Sequence, residues 1–152
     1  MMILYVGIVM LLVLFTRILA YWGNFVLQQG DIEVIPNILN LSFVKNFGAG
    51  FGIFQGAKFG LIAVSVIIFL LITYYVAHKR KTIQLSTLIP LAMIAGGGIS
   101  NVTDRLHFGY VVDYINFYCI DYPVFNLADI CVVVGVFWIA VKIAFAKEPK
   151  QQ

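Results

Sequence analysis

The chain has 152 residues, of which 62% are hydrophobic and 11% are charged. A soluble domain is typically about half apolar and about one quarter charged, so the composition predicts an integral membrane protein. The net charge of +3 is too small to indicate a nucleic-acid-binding protein. Two cysteines cannot build a disulfide framework. The sequence has no zinc-type Cys/His cluster, glycine-rich phosphate loop or Gly-x-Ser-x-Gly motif, so we expect neither a metal nor a cofactor.

Four apolar segments predict four transmembrane helices in a single domain of residues 1–152, at about residues 2–21, 59–78, 84–104 and 130–146. The second segment is uncharged until its end and would rise about 30 Å as a helix, which is the thickness of the hydrocarbon core. The first segment lacks both a basic leading region and a small-x-small cleavage site, so we interpret it as a retained span rather than a signal peptide.

The connection between the first two spans predicts a small β-sheet in a region of about residues 30–56. Residues 32–35 and 39–44 have the composition of short strands, and Pro36-Asn37 separates them. The predicted fold is therefore an all-α polytopic membrane protein with four transmembrane helices and a small extracytoplasmic sheet between helices 1 and 2.

Basic residues predict the orientation of these spans. Residues 79–81, in the short link between spans two and three, are all basic, and Lys147 and Lys150 follow span four. Positive charge favours the cytoplasmic side, so we expect both termini to be cytoplasmic. The two long connections, residues 22–58 and 106–128, would then face outward.

Two aspartates, Asp113 and Asp129, would lie at the outer edge of the membrane in this topology. A carboxylate there loses hydration and usually has a partner or a function. Two carboxyls that meet cannot both ionise easily, and a pair sharing one proton is the state that an aspartic protease uses. Asn126-x-x-Asp129 also matches a helix-capping arrangement, so this motif alone leaves a structural interpretation open.

The end of span three carries polar residues on one helical face. Asn101, Asp104 and Arg105 have the spacing i, i+3, i+4. We interpret Asp104 as part of a structural ion pair. A guanidinium and a carboxamide on this face could hold the backbone of a bound peptide. Asn46-Phe47-Gly48 is either a plain turn or a segment that places an amide beside the same groove.

Four stretches of the chain occur in a characteristic order and spacing: NFGAGFG at residues 46–52, GGISNVTDR at 97–105, GYVVDY at 109–114 and FNLAD at 125–129. Together they resemble the lipoprotein signal peptidase, or signal peptidase II, family. The resemblance covers the chain from about residue 31 to residue 135.

The resemblance implies a membrane aspartic endopeptidase of the bacterial cytoplasmic (inner) membrane, with its active site at the outer face. Its substrates would be diacylglyceryl-modified prolipoproteins anchored in membrane lipid, cut before the lipidated cysteine. Globomycin-type cyclic peptides would inhibit it. Asp113 and Asp129 would be the catalytic pair. The substrate-binding residues would be Asn46, Gly48, Asn101, Arg105 and Asn126.

The first span departs from the family pattern. Thr16 and Ala20 stand where the family usually has an Asp and a Lys, with Arg17 beside them, and Ser100 replaces a usual glycine. One alternative is therefore a non-catalytic lipopeptide-binding or accessory membrane protein on the same scaffold. A transporter is a weaker alternative, because the ionisable residues gather at one edge of the bundle rather than at its midplane.

Overall fold

The structure is a computed structural model that describes residues 1–50 and 53–145. Its helices are α1 (Met2–Val26), α2 (Lys58–His78), α3 (Leu85–His107) and α4 (Leu127–Ala144). Each is long and apolar enough to cross a membrane. The prediction of a multi-pass membrane protein with four transmembrane helices is thus confirmed. Phe51 and Gly52 of the glycine-rich stretch, and the basic tail with Lys147 and Lys150, lie outside the described residues.

Helix α4 begins earlier than the predicted fourth span. Its cap is Asn126, so Asp129 lies in the first helical turn, where the helix dipole favours a negative charge. Helix α1 is longer than its predicted span and ends in a single 3₁₀ turn, Leu27–Gln29. Both extensions bring polar side chains under the sheet.

Helix α3 is the central helix and packs against α1, α2 and α4. Two of three consecutive glycines make this possible, because they face different neighbours. A Cβ at Gly96 would lie 3.1 Å from the Cβ of Leu12 in α1, whereas a Cβ at Gly97 would overlap the carbonyl oxygen of Ala128 in α4. Among the described residues, a Cβ at Gly98 would meet nothing within 4 Å. The first two glycines therefore allow close helix packing, and the third leaves open space.

The sheet has three antiparallel strands in the order β1 (Ile32–Ile35), β2 (Leu39–Asn46) and β3 (Val111–Asn116). Strands β1 and β2 are the predicted pair, and Asn37 in the turn between them has a φ of 61°, which asparagine tolerates. The third strand comes from the connection between α3 and α4 and was not predicted. The end of the bundle that carries this sheet is called the sheet end below.

Strand β3 is held on α1 by a small apolar cluster of Ala20, Leu27, Val112 and Tyr114. Gly23 permits the approach, since a Cβ there would lie 3.4 Å from the Cγ1 of Val112. At the opposite end, Lys142 of α4 donates to hydroxyls near the start of α3. These contacts fix α3 and α4 together at one end and place β3 over the bundle at the other.

Candidate active site

Asp113 lies in the middle of β3 and is only 1% exposed. Its Oδ2 accepts a hydrogen bond of 2.8 Å from the side-chain amide of Asn46, and its Oδ1 accepts one of 2.8 Å from that of Asn126. The sheet register explains the first bond. Asn46, the last residue of β2, is paired with Val111, and Asp113 is the next residue of β3 on the same face of the sheet.

Asp129 lies in the first turn of α4 and takes part in a capping box. Its backbone N–H donates to Oδ1 of Asn126 (3.0 Å), and its Oδ2 accepts from the backbone N–H of Asn126 (3.1 Å). Its Oδ1 accepts a bond of 2.8 Å from the side-chain amide of Asn101 in α3. The capping interpretation of this motif is therefore correct, and the same carboxyl also faces α3.

Asn126 connects the two carboxyls. Its side-chain oxygen caps Asp129, and its side-chain amide donates to Asp113 and, more weakly at 3.3 Å, to the side-chain oxygen of Asn101. One asparagine thus holds a strand residue and a helix residue at one site. The structure places Asp113 and Asp129, together with Asn46, Asn101 and Arg105, on the wall of a single cavity.

The surroundings of the Asp113 carboxyl make it easier to protonate than a free aspartate, because they raise its pKa. Burial raises its pKa from the usual 3.8 to about 7, and the negative charge of Asp129 acts in the same direction. The hydrogen bonds from Asn46 and Asn126 and the charge of Arg105 oppose this shift. A carboxyl that titrates near neutral pH is suited to proton transfer.

Arg105 is buried beneath the loop that follows β2. Its NH2 donates to the backbone carbonyl of Gly48 (2.5 Å), and its NH1 donates to that of Asn101 (3.3 Å). Gly48 is required there, because a Cβ would lie 2.6 Å from the carbonyl oxygen of Ile53. The Nε of Arg105 is buried and has no hydrogen-bond partner within the described part of the chain.

Asp104 forms an ion pair with Arg17 of α1 rather than with the adjacent Arg105. Its second oxygen accepts a hydrogen bond of 3.1 Å from the backbone N–H of Val112. One turn earlier in α3, Ser100 shares a hydrogen bond of 2.5 Å with Thr16 of α1. Sequence reasoning did not predict the contact of Arg17. The available signal was an arginine in the middle of an apolar span, which usually has a specific partner.

The cavity has a volume of about 530 Å³ and lies between α2, α3, α4, the end of β2 and residues 122–125. Apolar side chains such as Leu61, Phe69 and Val132 form its walls along the helices, and the polar side chains gather at the sheet end. Gly48 and Asn126 are not among its lining residues in the described ranges. They lie behind the wall and position Arg105 and Asp113. A cavity of this size and character fits an apolar ligand held by a few polar groups.

The sequence and the fold both match one family. Residues 5–145 match the family described as signal peptidase (SPase) II. The chain is 43% identical to the lipoprotein signal peptidase of Halothermothrix orenii over 107 residues, which are 69% of this chain and 70% of that protein. It is 37% identical to the lipoprotein signal peptidase of Clostridium acetobutylicum over 142 residues, covering 91% and 92% of the two chains.

A solved structure of a bacterial membrane enzyme, obtained by the in meso method at 2.3 Å resolution, superposes on this chain with a TM-score of 0.81. The two sequences are 26% identical, and the superposition covers 97% of this chain and 94% of the other. The resemblance stated from the sequence is confirmed, and the chain belongs to the signal peptidase II family of membrane proteases.

Proposed function

We propose that this protein is an aspartic endopeptidase that removes the signal peptide from diacylglyceryl-modified prolipoproteins by cutting before the lipidated cysteine. The observation that carries the proposal is the pair of carboxyls, Asp113 and Asp129, which lie on the wall of one cavity and both accept hydrogen bonds from Asn126. The lipoprotein signal peptidases of related bacteria supply the substrate class.

The mechanism requires a single proton on the pair. The ionised carboxyl takes a proton from a water molecule, whose oxygen attacks the carbonyl carbon of the scissile bond. The protonated carboxyl donates to the carbonyl oxygen, which gives a neutral tetrahedral intermediate. The C–N bond then breaks as a proton passes to the leaving amine nitrogen. Because the two groups titrate as a unit, the proton is assigned to the pair rather than to one residue.

The surrounding side chains suit the proposed substrate. The apolar walls formed by α2 and α4 match the hydrophobic segment of a signal peptide, and the two acyl chains would stay in lipid and hold the bond at the depth of the carboxyls. The Nε of Arg105, which has no hydrogen-bond partner among the described residues, offers a buried donor for a peptide carbonyl. Globomycin-type cyclic peptides would occupy the same cavity.

The proposed orientation places the sheet end on the outer face of the bacterial cytoplasmic membrane. The basic link at residues 79–81 lies at the opposite end of the bundle, between α2 and α3, and positive charge favours the cytoplasm. Both termini would then be cytoplasmic, and the carboxyls would meet the substrate where its lipidated cysteine leaves the bilayer.

The test is cleavage of a purified diacylglyceryl-prolipoprotein in detergent, followed by its change in mass. Asp113→Asn and Asp129→Asn should each abolish cleavage, whereas Asp31→Asn, at an exposed position near the sheet, should cleave like the wild type. Full activity of both active-site variants would end the proposal. Globomycin-sensitive binding of the substrate by the wild type without cleavage would favour the non-catalytic alternative.

A further inference from the structure

In the described part of the chain, strand β3 carries Asp113 at an edge of the sheet. Among the contacts along this edge, the backbone N–H of Tyr114 donates to the carbonyl of Phe125 (3.0 Å), and the backbone N–H of Val112 donates to the carboxylate of Asp104 (3.1 Å). The residues on both sides of Asp113 are therefore fixed, one by a backbone carbonyl and the other by a charged side chain.

The second of these contacts depends on α1. Asp104 is 3% exposed, and the partner of its charge is Arg17, whose guanidinium also lies over the rings of Tyr21 (4.8 Å) and Phe108 (5.0 Å). A buried carboxylate that loses its partner is strongly destabilised, because its charge is then uncompensated. Arg17 therefore stabilises Asp104 as the ionised acceptor of the Val112 N–H.

The charges around Asp104 make the same contact important for proton transfer. Arg17 approaches from α1, Arg105 follows on α3 but points into the cavity, and Asp113 lies one residue beyond the bonded Val112 on β3. Among the described residues, Asp129 on α4 also acts on the charge of Asp113, and Lys45 of β2 lines the same cavity. Without Arg17, Asp104 would be an unbalanced third carboxylate behind a pair that must keep only one proton.

We propose that Arg17 is a positioning residue for the proteolytic site, which acts through Asp104 and the Val112 N–H to fix the place and the charge state of Asp113. This inference rests on the proposed function, since it takes Asp113 as a catalytic residue. It also gives a role to the altered first span. Thr16 and Ala20 lack the charges that the family resemblance leads one to expect at these positions, and the cation of α1 comes from position 17.

The experiment compares Arg17→Met, Arg17→Lys, Asp104→Asn and the double variant Arg17→Met/Asp104→Asn in the detergent cleavage assay, with kcat and KM measured across pH. Arg17→Met should lower kcat on the order of tenfold or more while KM changes by less than about twofold, because the substrate wall is intact and the carboxyl is displaced. The pH above which kcat falls should be higher in this variant. The negative charge of Asp104, no longer balanced by Arg17, disfavours loss of the proton from the pair of Asp113 and Asp129.

The double variant is the decisive comparison. An asparagine at position 104 can still accept the Val112 N–H but brings no charge, so the double variant should recover the wild-type pH limb and most of the lost kcat. Arg17→Lys should lie between the wild type and Arg17→Met. Thermal unfolding of each purified variant shows how much folded enzyme is present.

Three results would overturn the proposal. They are wild-type kcat and pH profile in folded Arg17→Met, a loss confined to KM, or a double variant that is no better than Arg17→Met although it is folded. Asp113→Asn is measured in parallel. If that variant cleaves normally, the proposed catalytic pair is wrong, whereas an inactive Asp113→Asn with an unaffected Arg17→Met refutes only the role of Arg17.

Discussion

The side-chain amide of Asn126 donates a hydrogen bond of 2.8 Å to Oδ1 of Asp113. The donor belongs to the cap of α4, and the acceptor belongs to an edge strand of the sheet. The bond therefore ties the start of the last transmembrane helix to the sheet beside the cavity that both carboxyls line. Asn126 thus makes a hydrogen bond to Asp113 in addition to the bonds by which it caps α4.

Two substitutions at Asn126 separate its roles. Asn126→Ser keeps an N-cap oxygen for Asp129 but loses the amide that reaches Asp113, so stability should stay near that of the wild type while kcat falls about 10- to 100-fold, as for the loss of a hydrogen bond to a charged group. Asn126→Ala should lose the same activity and also about 1 kcal/mol of stability. Cleavage rates and thermal unfolding measure the two effects. Equal activity of Asn126→Ser and the wild type would show that the bond to Asp113 is not needed.

The rate of cleavage should depend on pH through the carboxyl pair. Burial and the charge of Asp129 raise the pKa of Asp113 to about 7, so the pair keeps its proton up to neutral pH. We expect kcat to fall as the pH rises above about 7, because that proton is lost, and to fall again in acid, when both carboxyls are protonated. A single-turnover assay from about pH 4 to about pH 10 would be a sufficient range, on the order of 3 units on either side of neutrality. A rate that rises steadily toward alkaline pH would contradict the shared-proton mechanism.

Gly98 and Gly97 should respond in opposite ways to a side chain. A Cβ at Gly98 meets nothing, and the residue lines the cavity, so Gly98→Leu should fold normally but lower kcat/KM on the order of tenfold by filling the space for the substrate. A Cβ at Gly97 would overlap the carbonyl of Ala128, so Gly97→Ala should cost roughly 1–3 kcal/mol of stability.

The effect of Gly98→Leu can be tested by cleavage kinetics with two prolipoproteins whose signal peptides differ in bulk. Thermal unfolding of both variants would measure their stability. An active Gly98→Leu variant with unchanged kcat/KM would mean that the substrate does not pass Gly98. An unperturbed Gly97→Ala variant would mean that α3 and α4 can separate at no cost.

The proposed orientation can be measured with the two native cysteines. Cys119 is exposed in the connection between α3 and α4, and Cys131 is buried. A membrane-impermeant maleimide added to intact cells with permeable outer layers should label Cys119 and spare Cys131. In a Cys119→Ser background, Arg80→Cys in the basic link should be labelled only after the membrane is broken. The reverse pattern would place the carboxyls on the cytoplasmic side.

The helices could be predicted from the sequence because a membrane span is a local property. About 20 consecutive apolar residues suffice, and the approximate positions follow from composition alone. The ends of the helices could not be predicted as accurately. Helix α4 begins at the cap residue Asn126, before the continuous apolar run that marks the span in the sequence. The pair β1 and β2 was also predictable, because Pro36-Asn37 marks the turn between two β-rich segments.

Strand β3 and the contact of Arg17 were not predictable for a common physical reason. Val111, Val112, Asp113 and Tyr114 are all buried, so the strand has no alternation of apolar and polar residues. Its partner strand is more than 60 residues away in the chain, and Arg17 is 87 residues from Asp104. Contacts of this kind are set by how the helices pack. The family resemblance predicted a set of site residues, but not that Asn126 and Gly48 lie behind the cavity wall.

The run of three glycines in α3 has a consequence for the length of that helix. Successive residues of an α-helix point about 100° apart, so Gly96, Gly97 and Gly98 can face α1, α4 and the open space only in one rotational setting. Insertion or deletion of one residue between Leu85 and Gly96 would rotate the polar end of α3 by about 100° relative to its start. Arg105 would then no longer face the cavity. Homologous proteins and engineered variants should therefore change length more readily in the exposed link at residues 79–82 than within the first three turns of this helix.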